Sequence, residues 1–245
     1  MSKRKIDHRA NRLLAALSPD DFADLEPHLD MVMLRKGTVL YEVGDTLRHA
    51  YFPHNCIVSL VAVMEDGRSA EMAVFGCEAM IGATTSLVTR QSFGRYIVHF
   101  PGTASRIELD RLYEAINSHP KLRELIQHLN EALMARVLQN VACNAVHSVE
   151  ARCCRWILSI HDRLHHDTVP LTHEFLAEML GVQRSTVSII TRSLQAAGLI
   201  RQGRGVITIM DRAGLEEATC ECYSKTRRIF ERLLPHTYIS QRTSS

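Results

Sequence analysis

The 245-residue sequence predicts an α+β protein: an antiparallel β-roll of jelly-roll type, then a long helix, then a small helical domain closed by a β-hairpin. Three observations lead there. Residues 31–109 carry short apolar or alternating runs broken by glycine-bearing turns. From Pro120 into the 140s, apolar side chains recur at steps of three and four. Residues 171–211 hold two helical patterns meeting at Gly181, followed by a glycine-rich hairpin. The length favours two modest domains, and 46% hydrophobic with 23% charged residues can bury a real core. A net charge of +2 is too small to name an anionic partner by itself, so the electrostatic argument rests on where the charges sit.

Taken in order, the amino-terminal MSKRKIDHRANR is basic, but Leu13 to Leu17 is too short for a signal-peptide core. No run approaches membrane-spanning length, so a cytoplasmic protein with no membrane partner is expected. Residues 13–29 read as helix, with Ser18-Pro19-Asp20-Asp21 supplying a cap, a first-turn proline and first-turn acids. Strand-like runs follow at Val39–Val43, Ile57–Met64, Ser69–Val74, Tyr96–Phe100 and Ala104–Leu109. The best hairpin is VAVMEDGRSAEMAVF, because Asp66-Gly67 suits a tight turn with positive φ. So many short strands predict a small antiparallel roll or barrel.

In the long helix, Leu122, Ile126, Leu129, Leu133 and Val137 form one stripe. At about 1.5 Å per residue such a helix is nearly 40 Å long, and its stripe needs a partner. The chain's own β domain is one answer. A twin helix in a homodimer is the preferred one, because a helix joining two domains has few intrachain neighbours.

The most specific signal is LTHEFLAEMLGVQRSTVSIITRSL. Gly181 can take the turn conformation, Ala177 allows close approach, and Leu176, Leu180, Val182, Val187 and Ile190 pin two helices to one core. On the second helix Val187, Ile190 and Leu194 face inward, while Arg184, Ser188 and Arg192 share another face. An outward face of Gln183, Arg184, Ser185, Thr186 and Ser188 suits a groove lined by phosphates and base edges. In AAGLIRQGRGVITIMD, Gly198 ends that helix, Leu199-Ile200 and Val206–Ile209 read as strands, and Arg201-Gln202-Gly203-Arg204-Gly205 reads as the turn. Arg201 and Arg204 are then phosphate contacts on a wing. Residues 181–210 carry Arg184, Arg192, Arg201 and Arg204 and no acid. The alternative is an effector- or redox-sensing binding module whose winged helix serves protein contacts.

With these residues in view, the chain resembles the Crp/Fnr family of bacterial transcription regulators, most strongly over Leu171 to Asp211 and more loosely over nearly its whole length. The resemblance implies a cyclic-nucleotide-binding-like β-roll sensor at 13–118, a dimerisation helix at 119–147 and a winged helix-turn-helix at 148–232. It implies a homodimer on a palindromic double-stranded operator, with RNA polymerase as a further partner. Thr172, with His173 beside it, falls where the family's first helix meets the DNA backbone. Arg184 falls on a base-reading arginine, Thr186 on a phosphate contact, Ser185 in place of an acid, and Ile189 in place of a polar reader. Those two departures imply an altered operator.

The family's cyclic-nucleotide cassette, F-G-E followed after a short helix by Arg-Ser/Thr-Ala, corresponds to VFGCEAMIGATTSLVTRQSFGRYIV. Gly76, Glu78 and Gly82 match its first half, and Arg90 and Arg95 are the nearest cations to its second. Arg90 precedes Gln91-Ser92 where the pattern has Ser-Ala. A phosphate buried without its arginine is costly, so the pocket reads as degenerate and its effector is left open. An iron-sulfur relative would carry amino-terminal cysteines, and none precedes Cys56.

The seven cysteines, odd in number and irregularly spaced, fit a reducing compartment and no disulfide framework. Cys153-Cys154 and Cys220 and Cys222 read as buried, unreactive thiols, with thiol switching as the lesser alternative. His161, His165 and His166 read as a solvated loop before the winged helix, with His161 and His165, four apart, as the lesser metal-facing alternative, so no metal and no cofactor is assigned. No P-loop, nucleophile elbow or HExxH helix points to an enzyme.

Overall fold

The computed structural model describes residues 7–83, 89–164 and 166–235. They fall into two compact units, one within 1–59, 74–135 and 227–245, the other within 60–73 and 136–226.

In the first unit, Asn11 organises the entry. Its side-chain oxygen accepts from the amides of Leu13 and Leu14, capping α1 (Arg12–Ala16), while its amide nitrogen donates to the carbonyls of Pro53 at 2.8 Å and Ala79 at 3.0 Å. The chain then turns extended at Leu17, and Ser18 caps α2 (Pro19–Leu25) by accepting from Asp21 N. The single helix expected over 13–29 is therefore two short helices and a 3-10 turn at Glu26–His28, because a cap that binds its own following amides cannot sit mid-helix.

The strands are β1 (Asp30–Leu34), β2 (Val39–Tyr41), β3 (His49–Pro53), β4 (Ile57–Val63), β5 (Ser69–Phe75), β6 (Arg95–Phe100) and β7 (Gly102–Glu108). They form sheets ordered β1-β7-β3 and β2-β6-β4-β5, with β7 pairing antiparallel to both neighbours. All five expected runs are strands, and Gly67 turns with φ +82. β1 and β3 were not anticipated: DMVML lacks alternation and HAYFP ends on proline, so tertiary pairing with β7 decides both. The core between the sheets includes Val58, Phe75, Tyr96, Val98, Phe100 and Ile107.

Polar groups are buried here too. Ser105 Oγ lies 2.7 Å from His8 Nδ1 and 2.8 Å from His54 Nε2. Burial pushes the pKa of His54 down to about 4, with the nearby His8 adding to the effect, and burial, with Lys36 nearby, does the same for His99. The unfolded chain takes up these protons near pH 6.5 and the folded one near pH 4, so the stability they confer is present above 6.5 and lost as pH falls towards 4. At pH 5 the loss is about 2 kcal/mol per histidine. Denaturant unfolding at pH 7 and pH 5 should show this acid loss, and His54→Gln should shrink it; an unchanged loss would exclude His54 as a source.

α3 (Leu109–Ser118) leads into α4 (Pro120–Val146), which reaches the 140s as its spacing predicts. Its partner differs from the expected one. Leu122, Ile126, Leu129 and Leu133 are at most 3% exposed and belong to the chain's own core, so that stripe is not free for a second copy. The exposed apolar side chains begin further along, at Met134, Leu138 and Val141, which are 57%, 61% and 65% exposed.

The second unit holds the end of α4, then α5 (Val149–Leu164), β8 (Thr168–Val169), α6 (His173–Leu180), α7 (Arg184–Ala196), β9 (Ile200–Gly203), β10 (Val206–Ile209), α8 (Arg212–Ala218) and the start of α9 (Cys222–Leu233). Its sheet is ordered β8-β10-β9. The tip of the β4–β5 hairpin also belongs here: Trp156 Nε1 donates to Glu71 Oε1 at 3.0 Å, and the Ser69 hydroxyl donates to Glu178.

His161 lies in the helix α5, not a solvated loop, and is 3% exposed. Its Nδ1 accepts from Arg212 at 2.5 Å, which leaves Nε2–H to donate to Asp167 at 3.0 Å. Arg212 also pairs with Asp162 at 2.7 Å, tying α8 to α5. His166 is exposed, and His165 lies outside the described residues.

Candidate nucleic-acid interface

Two caps set the angle between α6 and α7. Thr172 Oγ1 accepts from Phe175 N at 3.2 Å at the start of α6. Gly181 ends it in the left-handed region at φ 67 and ψ 38, where Val182 N reaches back to Ala177 O at 3.0 Å. Leu176, Ala177 and Leu180 on α6 and Val187, Ile190 and Leu194 on α7 are buried. One face of α7 is thus fixed in the core, and 3.6-residue periodicity obliges the other to face solvent.

The outward face matches the expected one except at Ser188, whose hydroxyl turns to His173 because α6 packs against that turn of α7. Gln183, Arg184, Ser185, Ile189 and Arg192 are exposed, and Thr186 and Ser188 are half-buried. Ile189, at 62%, is the large apolar side chain on that face. Arg184 Nε pairs with Glu174 Oε1 of α6 at 2.5 Å, both side chains being about two-thirds exposed. An exposed pair of this kind contributes little, so a DNA acceptor can displace Glu174 at small cost. Arg192 Nε donates to Ser188 O at 3.0 Å, laying its side chain along the helix.

His173 and Ser188 face inward to the fold. His173 Nδ1 lies 3.0 Å from Ser188 Oγ, and its Nε2 lies 2.9 Å from Gln202 Oε1 on β9 and 3.2 Å from Thr191 Oγ1. Ser188 Oγ donates to Arg184 O at 3.0 Å, and Gln202 N donates to Gln195 Oε1 at 2.8 Å. His173 is therefore a strut joining α6, α7 and the wing. Sequence reading missed the buried Thr191, the exposed Gln195 and the half-buried Gln202, because polar contacts between elements carry no periodic signal.

The wing differs from expectation in one respect. Arg201 is in β9, paired with Thr208, and the turn is only Arg204-Gly205, with Gly205 at φ 73. The hairpin is tighter because Gly203 still pairs with Val206. Arg201 and Arg204 are both exposed, and neither has an ion pair among the described residues.

The second candidate group lies in the roll, where Gly76 and Glu78 are buried just after β5, Glu78 at 0% exposure. Gly82 has φ +95, and a Cβ there would sit 3.4 Å from Leu47. Arg90, at φ 56, pairs with Asp110 at 2.6 Å, and Arg95 pairs with Glu42 at 2.8 Å. Residues 84–88, inside the cassette, lie outside the described residues.

Against known proteins, the family model for the Crp-like helix-turn-helix domain matches residues 151–218. The transcriptional regulator SdrP of Thermus thermophilus is 28% identical over 204 residues, which cover 74% of this chain and 94% of that protein. Among solved structures, FixK2 of Bradyrhizobium japonicum superposes with a TM-score of 0.68 at 15% identity, covering 78% of this chain and 98% of its own. A CRP/FNR family transcriptional regulator of Thermus thermophilus gives 0.63 at 20% identity, covering 77% and 97%.

Proposed function

We propose that this chain, a Crp/Fnr family transcription regulator with a helix-turn-helix DNA-binding domain, acts as a sequence-specific homodimer that lays α7 in the major groove of each half of a palindromic operator. The observation that carries the reading is the two-sided character of α7: Val187, Ile190 and Leu194 are buried, while Gln183, Arg184, Ser185, Ile189 and Arg192 are presented outward. Arg184 supplies a fork that matches guanine N7 and O6, and Ile189 supplies an apolar surface that matches a thymine methyl. Thr186, the capped start of α6 at Thr172, and Arg201 and Arg204 supply phosphate contacts. His173 and Ser188 act through the strut and hold α7 against the wing.

Dimerisation is assigned to Met134, Leu138 and Val141 on α4, an apolar stripe that no described residue covers. A second copy of the same helix satisfies it with the two-fold symmetry that a palindrome requires. Bound beside a promoter, such a dimer would act on RNA polymerase. The domain limits of 13–118 for the sensor, 119–147 for the dimer helix and 148–232 for the reading head remain part of this proposal.

The sensor is proposed to lack a working cyclic-nucleotide site. Arg90 is followed by Gln91-Ser92 where the cassette has Ser-Ala, and Arg90 and Arg95 stand in surface pairs with Asp110 and Glu42, so neither sits at the cassette's phosphate-binding position. Cyclic AMP and cyclic GMP should therefore leave thermal unfolding unchanged, and a rise of several degrees would restore them as effectors.

DNA affinity as a function of salt tests the reading of the site. Arg204→Ala should reduce the log–log salt slope by about 1.8, one phosphate contact from each copy of the dimer. His173→Ala should weaken binding roughly tenfold at unchanged slope, because it loosens the reader without removing a phosphate contact, with partial rescue in His173→Gln. A salt-independent interaction would contradict the proposal.

A further inference from the structure

The end of α4 and the start of α9 bring together four side chains that sequence spacing could not connect. Cys143 and His147 stand four residues apart on one face at the end of α4, and Cys220 and Cys222 flank Glu221 where α9 begins. Their sulfur atoms and one imidazole nitrogen all lie within 4.8 Å of one another. Cys143 Sγ is 3.5 Å from Cys220 Sγ, and Cys222 Sγ is 3.5 Å from His147 Nδ1. Around a tetrahedral zinc ion, metal–sulfur bonds of about 2.3 Å place neighbouring ligand atoms about 3.5 to 3.8 Å apart, close to the spacing found.

The surroundings have the character of a metal site rather than of a thiol cluster buried by default. His147 turns Nδ1 to the sulfurs and Nε2 to Glu221 Oε2 at 3.1 Å, the carboxylate–histidine pairing that orients a metal-bound imidazole. Gln139 Nε2 donates to Cys222 Sγ at 3.0 Å, a bond that a thiolate would strengthen. Arg155, held by Asn140 Oδ1 at 2.8 Å, lies near enough to act electrostatically on Cys143 and offsets the excess negative charge of three thiolates and one divalent ion. All three cysteines are buried, which leaves no open coordination position of the kind a catalytic site keeps.

We infer that Cys143, His147, Cys220 and Cys222 bind one Zn2+ in a closed tetrahedral site that clamps the end of α4 to the start of α9. Three sulfurs and one nitrogen favour zinc over oxygen-seeking cations such as Mg2+ or Ca2+. Binding displaces the thiol protons to solvent and changes no oxidation state. In its place, a Cys143–Cys220 disulfide would leave Cys222, His147 and Glu221 without a common purpose.

Titration of the reduced full-length protein with Co2+ tests this. Expected is saturation at about one ion per chain with thiolate-to-cobalt charge transfer and the intense visible bands of tetrahedral cobalt, all bleached by stoichiometric Zn2+. Cys143→Ser and Cys220→Ser should lose these bands, while Cys56→Ser, in the other unit, keeps them. Since core cysteine variants can misfold, Glu221→Gln provides the independent arm: its exposed side chain is dispensable for packing, and its loss should weaken Co2+ binding roughly ten- to a hundredfold. Absence of thiolate charge transfer in the wild type, retention of full binding by folded Cys220→Ser, or unchanged affinity in Glu221→Gln would overturn the assignment.

Discussion

Replacing Leu138 and Val141 together by glutamate is expected to convert the protein to a monomer and to lower its affinity for a two-half-site operator by two to four orders of magnitude. Both side chains are more than 60% exposed on α4, so the chain's own core loses nothing when they change. Four carboxylates would meet across a symmetric seam, at a cost no apolar contact nearby offsets. The affinity loss follows from linkage: once one reading head is seated, the second binds at an effective concentration set by the dimer, and roughly 10²- to 10⁴-fold of avidity disappears with it. Sedimentation and DNA titration on one sample separate the two effects. A variant that stays dimeric, or that stays monomeric like the wild type with unchanged affinity, would remove α4 as the dimer helix.

Arg184→Ala is the second large effect. Its guanidinium stands on the exposed face of α7, where among the described residues it pairs with Glu174. A bidentate arginine–guanine contact discriminates by about 1–3 kcal/mol, and a dimer makes it twice. The expected loss is therefore roughly 30- to 10⁴-fold on the operator and far less on random DNA, so the specificity ratio collapses while unfolding is nearly unchanged. Equal loss on operator and random sequence would reassign Arg184 to phosphate. The same comparison applied to Ile189→Ala asks whether its exposed side chain reads one thymine.

The helix-turn-helix was legible because its requirements are local. Gly181 must accept positive φ, the buried positions repeat at helical spacing, and the arginines cluster within thirty residues without an acid. What was not legible depends on partners distant in sequence. The periodicity of Leu122, Ile126, Leu129, Leu133 and Val137 identified a stripe that is buried as far as Leu133 and half-buried at Val137 but could not say what buries it, and the β-roll unit holds its buried part. The strands β1 and β3 owe their existence to β7 more than to their own pattern. The His173 strut joins residues up to 29 apart, and Cys143 meets Cys220 across 77. No spacing rule spans those separations, although a histidine one turn after a cysteine at a helix end was a signal present in the chain.

The central claim, that two copies of α7 read a symmetric site through Arg184 and its neighbours, is met most directly by sequencing the fragments of genomic DNA that the protein retains. An inverted repeat is expected, with half-site centres about one helical turn of 34 Å, or a multiple of it, apart and a guanine fixed at one position of each half. Retention without sequence preference, or a single asymmetric site, would contradict it.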